Sequence, residues 1–207
     1  MRQRFVRSGG AGSAVGVADL TEVVTRRLMP ITPSTVADGV VLVAAASRGR
    51  RSGYAGLTAA VDCIRRSAGF EIGHVYVSCT DAGTILPSRI WSVEPPTSRF
   101  APFVRATGSS SLVPGQGLPG RVVCSRAPVV IEPLSDNVHQ PRARAAIDSG
   151  LRAACGYPLE VSSELTVVLE FLTTGSIGPT GEIDALVEQL TAVVMPHLEH
   201  VEPADLL

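Results

Sequence analysis

The sequence predicts an α+β domain built on antiparallel strands, and three observations carry that reading. HVYVSC (74–79) and SRIWSV (88–93) alternate apolar with polar residues across a short Asp81–Ala82–Gly83 turn, as paired strands do. RAACGYPLEV and ELTVVLEFLTT (152–161 and 164–174) form a second hairpin through VSSE. Two amphipathic helices flank these pairs, one beginning at Leu57 and one at Glu182.

Along the chain, Met1–Arg7 carries three arginines but is followed by Gly/Ser/Ala-rich SGGAGSAVGVAD, which argues against a secretory leader. Residues 1–16 are expected to be a flexible tail, and 17–53 an extension of open fold. Within it, Val17, Leu20, Val23, Val24 and Leu28 approximate a helical stripe that Pro30 ends. Ser34 opens a second segment whose VVLVAAA run suits a helix or a strand. The polar run SRGRRSGY (47–54) reads as a solvated linker. Leu57, Ala60, Val61 and Ile64 then share one helical face, with Arg65 and Arg66 near the C-terminal end and Gly69 as a stop. A short helix is expected around Phe100–Arg105.

In SSSLVPGQGLPGRVVCSRAPVVIEPL (109–134), Gly115 and Gly117 suit tight turns and Pro119 suits a first helical turn, so GLPGRVVCSR reads as a short helix. The β-branched run in APVVIEPL makes a strand that Pro133 ends. GQGLPG lacks the Lys-Ser/Thr of a P-loop and the spacing of a dinucleotide fingerprint, so it is read as a turn and not as a phosphate cradle. Pro141 and Gly150 bound a two-turn helix. Apolar residues on both faces of ELTVVLEFLTT mark a central strand. The last helix carries Ile183, Leu186, Val187, Leu190, Val193 and Val194 on one stripe, with Glu182 and Asp184 at its positive N-terminal end.

Composition narrows the function classes. Eighteen basic against nineteen acidic residues leave a net charge of −1, and the arginines are scattered, so no basic field exists to attract nucleic acid. The longest strongly apolar run, Val40–Ala46, falls far short of the roughly 20 residues of a membrane span. Cys63, Cys79, Cys124 and Cys155 are widely spaced, without a C-x-x-C pair, and read as buried reduced thiols in a cytoplasmic protein.

The order PGQGLPGRVVCSRAPVVI, PRARAAIDSGLRAACGYPLEV, ELTVVLEFLTTG and a terminal helix resembles a GAF domain of the bacterial sensory type, over about residues 54–198. Residues 199–207 would then be a C-terminal tail. The resemblance implies a GAF/PAS-like six-stranded antiparallel sheet, helices on one side, and a ligand pocket under short helices and loops on the other. It implies a non-enzymatic sensory module that binds a small molecule and signals through its terminal helices to a partner protein or within a homodimer. A ligand-free scaffold for dimerisation or protein contact is the alternative.

By topology, Trp91, Asp136, His139, Arg142, Cys155 and Tyr157 are the expected ligand-binding residues. His139 could ligate haem iron, and Arg142 could pair a carboxylate or phosphate. No cofactor is expected; haem and a cyclic nucleotide are the alternatives the family allows. No cysteine sits beside a histidine as in bilin-binding members, and the acid–amide motif for cyclic nucleotides is missing. GAF proteins that reduce free methionine sulfoxide carry G-H-I-A-C-D where this chain has NVHQPRARAA, so that thiol chemistry is a lesser alternative, with Cys124 or Cys155 as the thiol.

Overall fold

A computed structural model describes residues 31–49, 52–80, 82–134 and 140–207. The expected stripe at 17–28, the turn residue Asp81, and the candidates Asp136 and His139 lie outside the described residues.

The segment whose type the sequence left open is a helix, α1 (Pro33–Ala46), capped by the Thr32 side chain, which accepts from the Thr35 N–H. Helix α2 (Ser52–Ala68) begins inside the expected linker, and its apolar face of Leu57, Ala60, Val61 and Ile64 is buried. Strands β1 (Ile72–Cys79) and β2 (Thr84–Val93) form the first antiparallel pair. A 3₁₀ turn (Thr97–Phe100) leads into α3 (Ala101–Gly108), followed by α4 (Gly117–Ser125) and the short β3 (Val129–Ile131). Helix α5 (Pro141–Asp148) precedes the hairpin β4 (Ala153–Glu160) and β5 (Leu165–Thr173). The chain closes with α6 (Gly181–Val194), a 3₁₀ turn at Met195–His197 and α7 (Pro203–Leu206). The last nine residues are more than a tail, because Leu206 is buried in the core.

The sheet order is β2-β1-β5-β4-β3, five strands and not the six expected. The shortfall has a local cause. Leu112 exchanges both backbone hydrogen bonds with Ile85, at 2.7 and 3.0 Å, but Pro114 and the positive-φ Gly115 turn the chain away after this single bridge.

Both faces of the central strands are covered, as their apolar sequences require. On one face α1, α2 and α6 bury Val43, Leu57, Ile64, Leu186 and Leu190 against Val75, Val167, Leu169 and Phe171. On the other, α3, α4 and α5 bury Phe103, Leu118, Val122 and Ala146 against Ile72, Tyr76, Val168 and Leu172. Gly156 lets α4 come close: a Cβ there would stand 2.8 Å from Val122 and 3.2 Å from Leu118.

Candidate functional site

The face under α3–α5 carries a cluster of buried polar side chains around one ion pair. On β5, Val168 and Leu172 flank Glu170, which is fully buried. On β1, His74 and Tyr76 point to the same side, and both are fully buried. Register places His74 directly opposite Glu170 and Tyr76 opposite Val168. Pro141 starts α5, so Arg142 in its first turn reaches down to the sheet. There its Nη2 donates to Glu170 Oε2 and its Nε donates to Thr107 Oγ1 at 3.2 Å. The guanidinium also lies over two rings, 4.9 Å from the Phe103 centroid and 5.5 Å from that of Tyr76.

Trp91 continues this cluster. Its ring stacks on His74 with centroids 3.6 Å apart, and His74 meets Tyr76 edge-on at 4.6 Å. His74 Nε2 lies 3.2 Å from the Ser88 carbonyl, which can only accept, so Nε2 carries the hydrogen and Nδ1 of the neutral ring is an acceptor.

Three buried atoms of the cluster have no hydrogen-bond partner among the described residues: Glu170 Oε1, His74 Nδ1 and the Tyr76 hydroxyl. Buried polar groups are otherwise almost always paired, so three on one sheet face mark a place built for something besides packing. Burial holds the His74 pKa well below its ordinary value, with Arg142 adding to the effect. Burial raises that of Glu170 against the opposing pull of Arg142. For Arg142 burial acts downward, but Glu170 and Tyr76 reverse it and the guanidinium is held charged more firmly than usual.

Glu170 and Arg142 line a small, partly open cavity of about 40 Å³ together with Leu118, Ile131, Ala154 and Leu172. A larger open groove of about 1130 Å³ runs between α2 and the β2 edge. Its charged groups already satisfy one another: Arg65 donates to Ser92 at 2.6 Å, Ser92 to Asp62 at 2.5 Å, and Arg66 pairs with Asp62 at 2.9 Å. The small cavity, with its unpaired acceptor, is the better candidate site.

Of the expected ligand-binding residues, the structure brings Arg142 and Trp91 into one cluster and places Cys155 and Tyr157 elsewhere. Those two project from β4 into the opposite core, because alternation from Ala154, which faces the cavity, puts them on the side of α6. There Tyr157 donates to Asp184 Oδ1 at 2.9 Å, and burial drives the Cys155 thiol pKa far upward. Glu170, His74, Tyr76 and Thr107 were not anticipated; a lone carboxylate inside a strand apolar on both faces was the available signal for the first.

No protein-family model matches the sequence, and no curated protein does. Solved structures do match. The chain is similar to the free methionine-R-sulfoxide reductase of Neisseria meningitidis solved with its substrate, at 13% identity and TM-score 0.58 over 83% of this chain and 93% of that one. The GAF domain of an Acinetobacter phosphoenolpyruvate-protein phosphotransferase matches at 15% identity and TM-score 0.54, over 77% and 92% of the two chains. A putative GAF sensor protein from Burkholderia vietnamiensis matches at 12% identity and TM-score 0.55, over 79% and 88%. This chain has the GAF fold, an α+β architecture that sensors and a reductase share. Among the described residues no helix is long and apolar enough to cross a membrane, and no cluster of His, Cys, Asp or Glu could hold a metal ion.

Proposed function

We propose that this chain is a non-enzymatic sensory GAF domain that binds a small polar molecule in the cavity of Arg142 and Glu170. Its terminal helices would pass the signal to a partner protein or across a homodimer. The observation that carries the reading is a fully buried carboxylate beside a cavity, with one oxygen on Arg142 and the other, itself buried, without a hydrogen-bond partner among the described residues. Removing both charges from a core is often neutral or stabilising, so a buried pair with an open valence is better suited to recognition than to stability. The helices α2 and α6, which pack on the far side of the same sheet, are the natural outlets.

The cavity narrows the ligand. Pockets for drug-sized molecules run from about 300 to 1,000 Å³. Neither haem nor a cyclic nucleotide fits in about 40 Å³, and no described residue is offered here as a haem ligand. A reductase-like thiol reading is weakened by the placement of Cys155, whose sulfur is buried on the opposite face of the sheet with its pKa pushed up. Cys124, exposed on α4, is the remaining thiol for that reading.

The scaffold reading keeps one observation in its favour. Val41 and Leu42 on α1 are 67% and 62% exposed, beside an apolar groove against α6 lined by Val36, Val40 and Leu186.

Native mass spectrometry of the untagged protein, run beside its denatured mass, separates the readings. Excess mass that vanishes on denaturation supports the ligand-binding domain. A bare apoprotein mass, together with a doubled mass that Leu42→Asp abolishes, favours the scaffold.

A further inference from the structure

Resting on the ligand-binding reading above, we propose that the Arg142–Glu170 pair recognises a neutral amide-type head group, a primary carboxamide or its ureido equivalent. Glu170 Oε1 accepts its N–H and Arg142 donates to its carbonyl.

Hydrogen-bond valence comes first. Glu170 Oε1 and His74 Nδ1 are buried acceptors without donors, and their residues stand opposite each other on neighbouring strands. Such cross-strand pairs have Cβ atoms about 5 Å apart on one face. His74 does not line the cavity, and the Tyr76 hydroxyl in the same cluster has a hydrogen to give, so Glu170 Oε1 is the acceptor left for a group that enters. On the other side, Arg142 uses Nε on Thr107 and Nη2 on Glu170, two contacts from a guanidinium that offers five N–H bonds. The site therefore offers both a donor and an acceptor, the complement of an amide edge.

Charge decides between amide, acid and amine. Arg142 and Glu170 neutralise each other, so a ligand carboxylate would add a third buried charge facing Glu170, and an ammonium one facing Arg142. An uncompensated buried ion costs several kcal/mol, more than the hydrogen bonds it would form return. A carboxamide makes both contacts with no net charge.

Volume sets the size of the head. A single water needs at least about 10–15 Å³ of such space, so a cavity of about 40 Å³ takes a small head group and not a whole drug-sized ligand. Leu118, Ile131, Ala154 and Leu172 suit an apolar stem directly behind the head.

The test uses three probes with three-carbon skeletons, propionamide, propionate and propylammonium, titrated into the ¹⁵N-labelled full chain at neutral pH. Backbone resonances of Ala154 and Glu170 and the Arg142 Nε–H signal are followed by NMR. Propionamide is expected to shift them saturably, with propionate and propylammonium at least tenfold weaker. Glu170→Gln should weaken propionamide at least tenfold while the dispersed spectrum persists. If that variant does not fold, Ala143→Leu, which narrows the cavity from the half-exposed side of α5, should abolish the shifts. Propionate or propylammonium binding as well as propionamide would overturn the amide assignment and leave the ligand-binding reading standing. Silence from all three, meaning that ordered water alone meets the acceptors, overturns the assignment. Silence combined with a bare native mass overturns both.

Discussion

The two faces of β5 make different use of the same strand. Leu165, Val167, Leu169 and Phe171 enter a core in which α1, α2 and α6 contribute almost only hydrocarbon. One residue out of step, Val168, Glu170 and Leu172 enter a core where a carboxylate, a guanidinium, an imidazole and a phenol share the space. The first face needs only to be filled well, so its tolerance is set by volume and polarity. The second carries three unpaired polar atoms, so its stability is compromised at the place where it offers something to bind. Stability concentrated on one side of a sheet leaves the other free to carry chemistry that costs it.

The contrast breaks most visibly on the apolar side. Leu190→Asp puts an unpaired charge at a fully buried position on α6 and should cost more than about 4 kcal/mol, enough to abolish a cooperative thermal transition followed by circular dichroism. On the polar side, Arg142→Met strands Glu170 without its counter-charge and should cost about 3–5 kcal/mol in urea denaturation. The double variant Arg142→Met/Glu170→Leu should recover most of that loss. A double variant as unstable as the single one would mean that the pair stabilises the fold and does not merely tolerate burial.

A smaller effect concerns pH. His74 is neutral in the folded protein with its pKa depressed, so the unfolded chain binds the extra proton once pH falls below the ordinary value of 6.5. Stability should therefore decline from neutrality toward pH 5, and His74→Phe should flatten that decline. Glu170 works in the opposite sense, since its raised pKa lets the folded state take up a proton before the unfolded one does. Urea midpoints at pH 5 and 7 for both proteins measure the difference. A decline as steep in His74→Phe as in the parent would assign it to other groups. The slightest perturbation is chemical labelling: iodoacetamide should modify exposed Cys124 in the native protein and leave Cys155 untouched until unfolding, with no change in the thermal midpoint before reaction.

Much of this architecture was legible because period and punctuation agreed. The helices at Leu57 and Ile183, the hairpin of β4 and β5, and the turn-helix-strand passage through Gly117–Ile131 all follow from spacing and from glycine and proline placement. Helix α1 was ambiguous because VVLVAAA is apolar at every phase and shows no period. The site was harder to read. Arg142 stood out after Pro141, but alternation shows only that Cys155 and Tyr157 share a side, not which core that side faces. Only the packing of β4 between its neighbours decides it. His74 carried no signal for a similar reason: HVYVSC alternates like a half-solvated strand, yet α3–α5 cover its polar side as fully as the helices cover the other.

Strand β4 passes between the two cores, and its ends of contact are unequal in kind. Ala154 touches the cavity, while three residues on, the Tyr157 hydroxyl holds Asp184, which Thr180 also grips at 2.8 Å in the first turn of α6. Apolar contacts slide with little resistance, whereas a hydrogen bond fixes both distance and angle. A displacement of β4 at Ala154 would load the Tyr157–Asp184 hydrogen bond, whose far end sits at the start of the last long helix.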